Sequence, residues 1–542
     1  SAESSGDKSP APAIRVTPPA PVIDDNERLA ELASRRARVA EKIGPNGVLV
    51  LFSTEPRVYT NDVDYEYRQE NNLFYLTNLR QKGATLVLIP GNAQMREVLF
   101  LPHRDPAAET WTGHMYSPEE AKAVSGISEI WEAKEFEPFM RALRLRQGYR
   151  PKSEAIFMSA SAAPPSEPTG ATGTKPPTGF ENLFTAMGKD EATLYLLLPR
   201  EDDSREYKQE QNFAAQWAKS ATGFNVRNAA PIFARMRLIK SPYELKLLQH
   251  AIDITTEAHE RAMAVAGRSQ WEYEVESEIV YTYKRRNADH WGYPDIVGCG
   301  PNATTLHYEE NQARVKPGDL MLMDVGAEYG HYTADVTRTF PVNGKFTKEQ
   351  AEIYQIVYDA QEEVAKATKP GAVFPTDVHN AGAEKIKEGL LRLGLITDKN
   401  SDQYRIWFMH GTSHWLGMNV HDVGGRGVKL EPGMVFTNEP GIYIRADALD
   451  NLPKTPENEK FIAAVRPAFE KYKNIGVRIE DDLLVTQNGA VWLTKDLPRS
   501  IADIEAFMAR APKEVTISAL DLPWSESGIL PTRIFWNKFF RA

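Results

Sequence analysis

Four acidic residues in the second half of this chain lie beside short apolar runs, or beside the turns that join them: Asp324, Asp335, Glu439 and Glu480. A buried carboxylate is costly unless a cation or hydrogen-bond donors accompany it. For each acid taken singly, an Arg or Lys partner is a sufficient explanation, and that alternative stays open. Four such acids together favour a fold that gathers them around metal ions.

The first two acids are close in sequence. Asp324 follows the apolar segment 320–323, and Asp335 comes eleven residues later, with Gly326 and Gly330 between them. This spacing predicts neighbouring strands of a hairpin, whose side chains can converge on one point. Asp324 is expected where the first of these strands ends.

Histidines are concentrated in the same part of the chain. Six of the 11 fall within residues 307–421, about a fifth of the sequence: His307, His331, His379, His410, His414 and His421. Four carboxylates and one imidazole, here His414, form an oxygen-rich donor set that suits Mn²⁺, Co²⁺, Fe²⁺ or Zn²⁺. Two such ions can share and activate a hydroxide, so the pattern predicts a two-metal hydrolytic site.

Composition excludes several other classes of protein. The 542 residues are 42% hydrophobic and 25% charged, which is typical of a globular protein. A formal net charge of −10 argues against a nucleic-acid partner. The single cysteine, Cys299, rules out a disulfide framework and a thiolate metal site within the chain. No apolar run approaches the roughly 18 residues that a membrane span needs.

Competing catalytic motifs are missing. His259 and Glu260 are followed by Met263 where a HExxH zinc motif needs a second histidine. The chain has no GxSxG elbow and no Walker A loop, and segment 298–300 lacks the third glycine of a dinucleotide fingerprint.

Composition shifts divide the chain into four segments. We predict a disordered Ser/Ala/Pro-rich leader at 1–24, an N-terminal α/β domain at 25–232 with a low-complexity insertion at 159–179, a second domain at 233–510 with an insertion at 447–472, and a C-terminal extension at 511–542.

Periodicity and capping signals predict the main elements. Helix-like spacing of apolar residues covers 26–43, and a second amphipathic helix is expected over 457–472. Ser241, Pro242 and Glu244 form a capping box with proline at the first helical position, so a long helix should begin there. Strands are predicted at 48–52, 85–90, 97–102 and 193–198.

Four segments carry a family resemblance: 324–339 (DVGAEYGHYTADVTRT), 410–424 (HGTSHWLGMNVHDVG), 439–444 (EPGIYI) and 476–483 (GVRIEDDL). They closely resemble the pita-bread metallopeptidases, and HGTSHWLG followed by NVHDVG is most similar to the aminopeptidase P family. Segments 64–77 and 296–308 resemble that family's N-terminal domain and the approach to its active site. The resemblance implies an α/β creatinase-like N-terminal domain and an α+β pita-bread catalytic domain.

The resemblance also implies roles for individual residues. Metal ligands would be the bridging Asp335 and Glu480, together with Asp324, His414 and Glu439. Catalysis would involve His307, His421 and Glu439, the first two as substrate-contacting groups that stabilise the oxyanion and the last as a proton shuttle. His410, Tyr443, Arg478 and Trp111 would contact substrate, with Trp111 closing the site of a neighbouring subunit.

The implied activity is release of the first residue from peptides with proline at the second position. The cofactors would be two divalent ions per chain, with Mn²⁺ preferred and Co²⁺ or Zn²⁺ as alternatives. An Xaa-Pro dipeptidase (prolidase) is the first alternative, because it shares the five ligands. A non-catalytic, peptide-binding pita-bread protein is the second, although such proteins lack the intact ligand set.

Other expectations concern assembly and location. A homo-oligomer, dimer or tetramer, is expected from the resemblance. The Ser/Ala/Pro leader without an initial Met favours a processed, exported or periplasmic protein, with the cytoplasm as the alternative. The insertions and the extension depart from the family, and Asn438 places a polar residue beside Glu439 where a small or apolar one is expected.

Overall fold

The computed structural model describes residues 12–159, 179–199, 207–220 and 223–515. The expectations for 1–11, for nearly all of the 159–179 insertion and for 516–542 fall outside these residues. Within the described residues, no helix combines the length and apolar character that crossing a membrane requires.

The N-terminal half is built on one mixed seven-stranded sheet in the order β7-β6-β5-β4-β1-β8-β9. Its strands, with the separate β2–β3 hairpin, are β1 (Gly47–Phe52), β2 (Val58–Thr60), β3 (Val63–Asp64), β4 (Thr85–Leu88), β5 (Glu97–Leu101), β6 (Ile130–Glu132), β7 (Ile156–Met158), β8 (Ala192–Leu196) and β9 (Phe224–Asn228). The four predicted strands are β1, β4, β5 and β8, with ends that differ by one or two residues.

The described helices of this half are α1 (Asp25–Ile43), α2 (Asn71–Thr77), α3 (Pro106–Thr112), α4 (Pro118–Ser125), α5 (Phe136–Arg144), α6 (Glu181–Gly188), α7 (Lys208–Ser220) and α8 (Ala230–Leu238). They cover both faces of the sheet, except for α3, which buries no residue. In β1, Leu49 and Leu51 pack with α1 and α2, whereas Val48 and Val50 pack with α5 and α6. Both faces are buried, which explains why these strands are continuously apolar.

Up to residue 515, the C-terminal half contains small sheets and six longer helices. The helices are α9 (Pro242–Ala266), α10 (Glu272–Arg285), α11 (Lys348–Ala367), α12 (Thr376–Leu393), α13 (Pro456–Tyr472) and α14 (Ile501–Arg510). The strands are β10 (His290–Trp291), β11 (Ile296–Cys299), β12 (Leu320–Val325), β13 (Ala327–Tyr329), β14 (Tyr332–Thr333), β15 (Val336–Pro341), β16 (Val373–Phe374), β17 (Val428–Lys429), β18 (Val435–Asn438), β19 (Gly441–Tyr443), β20 (Gly476–Arg478), β21 (Asp481–Thr486) and β22 (Gly489–Trp492).

Strand pairing brings the four acidic positions together. β12 pairs antiparallel with β15, which places Asp324 opposite Thr337, and Asp335 directly precedes β15. Asp324 lies inside β12, not at its end as predicted, because the strand continues to Val325. Thr337 also forms a bridge with Glu480, and β18 pairs with β21, so the chain around Glu439 and Glu480 joins the same layer.

Helix α9 supports this layer from behind. Ser241 caps it, and the reciprocal hydrogen bonds with Glu244 confirm the predicted capping box. Residues on α9 complete one apolar cluster with α1 and α2, so the two halves of the chain pack directly on each other. The side chain of His259 on α9 contacts the carbonyl of Val336 at 2.9 Å, next to Asp335.

The prediction that the whole leader 1–24 is disordered is wrong for its second half. The main-chain N–H of Thr17 donates to Glu257 at 2.8 Å, and that of Ala13 donates to Glu514 at 2.8 Å. Ile14 is buried in the core of the C-terminal half. This extended segment is ordered by acidic acceptors that lie far away in the sequence. Local periodicity therefore does not predict its position.

The later insertion forms the predicted helix, α13 (Pro456–Tyr472), which starts one residue earlier than expected. Phe461, Val465 and Phe469 bury its inner face in the main core. The described start of the C-terminal extension also packs inward, since Ala511 is fully buried.

Candidate metal centre

Three of the predicted ligands form a tight cluster. One ligand atom from each of Asp335, His414 and Glu480 lies within 4.8 Å of the other two. His414 Nε2 is 3.1 Å from Asp335 Oδ2, 3.6 Å from Glu439 Oε1 and 4.0 Å from Glu480 Oε1. The Nδ1–H of His414 points to the carbonyl of Trp415 at 3.1 Å, which directs Nε2 towards the carboxylates.

Asp324 joins the cluster through Tyr293, whose hydroxyl lies 2.6 Å from Asp324 Oδ1 and 2.7 Å from Asp335 Oδ1. Its other oxygen accepts a short hydrogen bond from Arg478. Both aspartates are buried, and the single phenolic hydroxyl lies within hydrogen-bond distance of both.

Glu480 is oriented from the neighbouring strand. The hydroxyl of Thr337 donates to Glu480 Oε2 at 2.7 Å and accepts from Arg478 Nε at 3.1 Å. Behind it, Arg338 is fully buried and donates to the main-chain carbonyl of Glu480 at 2.8 Å and to the Asp481 carboxylate at 2.6 Å. These contacts hold the main chain directly after the Glu480 side chain.

A hydrogen-bonded chain runs from Arg478 to His410. Arg478 Nη1 donates to the Tyr443 hydroxyl at 2.9 Å, and that hydroxyl is 2.8 Å from His410 Nε2. His410 Nδ1 lies 2.7 Å from the carbonyl of Gly411, so Nδ1 carries the proton and Nε2 accepts. Burial lowers the pKa of His410 to about 3, which keeps this ring neutral.

Two further predicted histidines lie near one another, one of them beside the cluster. The His421 ring lies 4.3 Å from the His414 ring, and both His421 and His307 are exposed to solvent. Burial, with His414 and His307 nearby, lowers the pKa of His421. Trp111 is not part of this arrangement: its side chain is 88% exposed on α3.

Burial and mutual repulsion disfavour charge on the carboxylates. Burial raises the pKa of Glu439 to about 7. Burial, together with the nearby charge of Asp335, raises the pKa of Glu480 well above its ordinary value and also raises the pKa of Asp324. Burial alone would lower the pKa of His414, but its hydrogen bond to Asp335 raises it to about 9.

The donor set fits divalent metal ions. Within the described residues, the four carboxylates face the guanidinium of Arg478 and the imidazoles of His414 and His410, the latter 3.5 Å from Glu439 Oε2. Carboxylate oxygens and an imidazole nitrogen are the donors that such ions prefer, and cations would relieve the repulsion that now raises the pKa values.

Sequence reasoning missed Tyr293, Thr337 and Asp482. The main-chain N–H of Asp335 donates to Asp482 Oδ2 at 3.3 Å, while Oδ1 of the same buried carboxyl has no partner among the described residues. Burial and the nearby charge of Asp335 raise the pKa of Asp482 well above its ordinary value. The position of Asp482 in an apolar strand was a usable sequence signal, whereas no sequence signal marked Tyr293 or Thr337.

Comparisons with known proteins agree with this geometry. The profile of "Metallopeptidase family M24" matches residues 246–487, and that of "Aminopeptidase P, N-terminal domain" matches residues 32–149. All five proposed ligands lie inside the first match.

Two curated relatives match this chain over nearly the whole of their own length. An Xaa-Pro aminopeptidase of Haemophilus influenzae is 34% identical, with 88% of this chain and 97% of the relative covered. An Xaa-Pro aminopeptidase of Escherichia coli is 33% identical, with 89% and 98% covered.

Solved structures give the same result. A Pseudomonas aeruginosa aminopeptidase superposes with a TM-score of 0.71 at 31% identity, covering 91% of this chain and 99% of that one. Aminopeptidase P of Escherichia coli with the inhibitor Pro-Leu gives a TM-score of 0.71 at 30% identity, covering 91% and 100%. The N-terminal α/β domain and the pita-bread catalytic domain are thereby confirmed, and the chain belongs to the aminopeptidase P family of M24 metallopeptidases.

Proposed function

We propose that this chain is an Xaa-Pro aminopeptidase that removes the first residue from peptides whose second residue is proline. The observation that carries the proposal is the convergence of Asp335, His414 and Glu480 within 4.8 Å, in a chain of this family. The named relatives are aminopeptidases, which disfavours the dipeptidase alternative. The intact ligand set disfavours a non-catalytic binding protein.

We assign two divalent ions, preferably Mn²⁺, to five ligands: Asp324, Asp335, His414, Glu439 and Glu480. Co²⁺ and Zn²⁺ share these donor preferences. Divalent ions at such a site polarise a peptide carbonyl and lower the pKa of water, which provides a nucleophile near neutral pH.

Residues of the chain account for proton transfer and charge stabilisation. Glu439 is half-buried beside the cluster, where its carboxylate can carry a proton from the nucleophile to the leaving imino nitrogen. His421 lies beside His414 and, like His307, is exposed to solvent, so these rings are assigned the N–H groups that stabilise the developing oxyanion.

Substrate binding falls to the groups around the cluster. The neutral His410 ring, held by Tyr443 and Arg478, offers a rigid wall for the proline side of the peptide. Pro-Leu, which inhibits the Escherichia coli relative, is the fragment left when Xaa-Pro-Leu loses its first residue, so that relative binds what this reaction would release. The free substrate amine would lie beside the carboxylates, which restricts cleavage to the first bond. A homo-oligomer remains a prediction.

The test uses two peptides and one metal. After removal of metal by a chelator and addition of Mn²⁺, the enzyme should release Ala from Ala-Pro-Leu and leave Pro-Leu. Asp335→Ala and Glu480→Ala should abolish the reaction. Rapid cleavage of Ala-Pro without cleavage of Ala-Pro-Leu would establish the dipeptidase instead, and full activity of either variant at saturating Mn²⁺ would refute the two-metal site.

A further inference from the structure

A buried amide on α11 contacts both strands that lead into Glu439 and Glu480. Gln361 is fully buried, and its Nε2 donates to the main-chain carbonyl of Asn438 at 3.0 Å and to that of Ile479 at 3.1 Å. These two residues directly precede Glu439 and Glu480. One side-chain amide therefore contacts the main chain next to two proposed metal ligands from different strands.

The same amide is held on its other sides. Gln361 Nε2 also lies 2.8 Å from Asp481 Oδ2, just beyond Glu480, and Arg499 Nη1 donates to Gln361 Oε1 at 2.9 Å. The two N–H groups of Nε2 are therefore shared among three acceptors, and together with the bond from Arg499 they hold the amide in one orientation. Any shift of one strand relative to the other would break at least one of these contacts.

Asn438 completes the connection from the opposite direction. Its Nδ2 donates to the main-chain carbonyl of Gln361 at 2.9 Å, while its Oδ1 is buried without a partner among the described residues. An unpaired buried acceptor costs stability, so packing alone would favour an apolar residue at this position. The bond to α11 supplies a reason for its presence beside Glu439.

We propose that Gln361, with Asn438 as its reciprocal partner, is a positioning residue that sets the separation of Glu439 and Glu480. The inference rests on the proposed role of these glutamates as metal ligands. Groups that orient metal ligands from behind change metal affinity without touching the ion. A purely structural amide would change stability alone.

The test compares two glutamines on the same helix. Gln361→Met removes the donor and keeps the side-chain length. Gln350→Met is the matched control, because Gln350 is also buried on α11 and its Nε2 donates to the carbonyl of Gly318 at 2.8 Å, away from the metal ligands. Both variants and the wild type are stripped with a chelator and titrated with Mn²⁺ by calorimetry, and the thermal unfolding of each metal-free form is recorded.

Gln361→Met should weaken Mn²⁺ binding about 10- to 100-fold and lower kcat on Ala-Pro-Leu with KM unchanged. Gln350→Met should lose thermal stability yet bind Mn²⁺ like the wild type. Equal Mn²⁺ affinity in the two variants would overturn the inference.

A second variant covers the case in which Gln361→Met does not fold. Asn438→Leu is nearly isosteric, removes the orphaned oxygen and breaks one net hydrogen bond, so it should fold and weaken Mn²⁺ binding about fivefold. Wild-type affinity in that variant would overturn the inference. A wild type that binds no Mn²⁺ would instead refute the proposed function, and the inference with it.

Discussion

Arg237 joins the two halves of the chain next to the proposed site, and its removal should be severe. The side chain is 2% exposed, its Nη1 donates to Asn72 Oδ1 of the N-terminal half at 2.9 Å, and its Nη2 forms a short ion pair with Asp422. Asp422 follows His421, and its main-chain N–H donates to the carbonyl of Trp415 at 2.9 Å. The arginine thus supports the loop that carries two predicted site histidines.

The magnitude follows from what Arg237→Met would leave behind. Asp422 would remain a buried carboxylate, 1% exposed at its side chain, without its guanidinium partner. Removing one member of a buried ion pair costs about 3–5 kcal/mol. Lys240 is buried close by and attracts the same carboxylate, so we expect the lower end, about 3 kcal/mol.

The assay is urea unfolding followed by tryptophan fluorescence and circular dichroism, with coincident transitions as the criterion for one free energy. The double variant Arg237→Met/Asp422→Leu removes the stranded carboxylate but deprives buried Lys240 of its nearest opposite charge, so it should recover only part of the loss. A single variant within about 1 kcal/mol of wild type, or a double variant as unstable as the single, would refute the reasoning.

Three other perturbations test separate parts of the structure. Tyr293→Phe removes the donor shared by the two aspartates of the cluster and should weaken Mn²⁺ binding about 10-fold or more by calorimetry; unchanged affinity would contradict the 2.6 and 2.7 Å contacts. Burial lowers the pKa of His259 from 6.5 to about 3. The contribution of the neutral ring to the free energy of unfolding is therefore fully present above pH 6.5, and it falls by about 1.4 kcal/mol per pH unit as the pH drops towards 3. His259→Gln should flatten that acid slope in thermal melts, and an identical slope would exclude His259 as its source. Trp111→Ala should leave the free energy of unfolding within about 0.5 kcal/mol, because the side chain is 88% exposed; activity lost only in the oligomer would support its predicted contact with a neighbouring subunit, and a large loss of stability would contradict the exposed position.

Local signals in the sequence predicted the main elements well. The capping box at Ser241 located the start of α9 to the residue, because the cap and its partner are only three positions apart. Helix α13 was likewise predicted to within one residue from its apolar spacing. Residues 12–24 were misjudged, because what orders them is acceptors such as Glu257 and Glu514, which lie hundreds of positions away.

The candidate site shows the same division. The sequence alone identified Asp324, Asp335, Glu439 and Glu480 as carboxylates too costly to bury without cations, and motif resemblance assigned His414 to them. It did not identify the groups that orient these ligands. Their role comes from cross-strand register and helix packing, which no spacing records.

Residue chemistry and local pattern therefore determined which donors this protein can offer: hard oxygen and imidazole ligands, with a single cysteine to exclude thiolate sites. Only the tertiary structure decided that Tyr293 bridges two aspartates, that Gln361 connects the strands before two glutamates, and that Asn438 has a partner on α11. The reason is physical. Backbone preferences and caps act over a few residues, whereas distances between ligands depend on contacts between elements 70 to 120 positions apart.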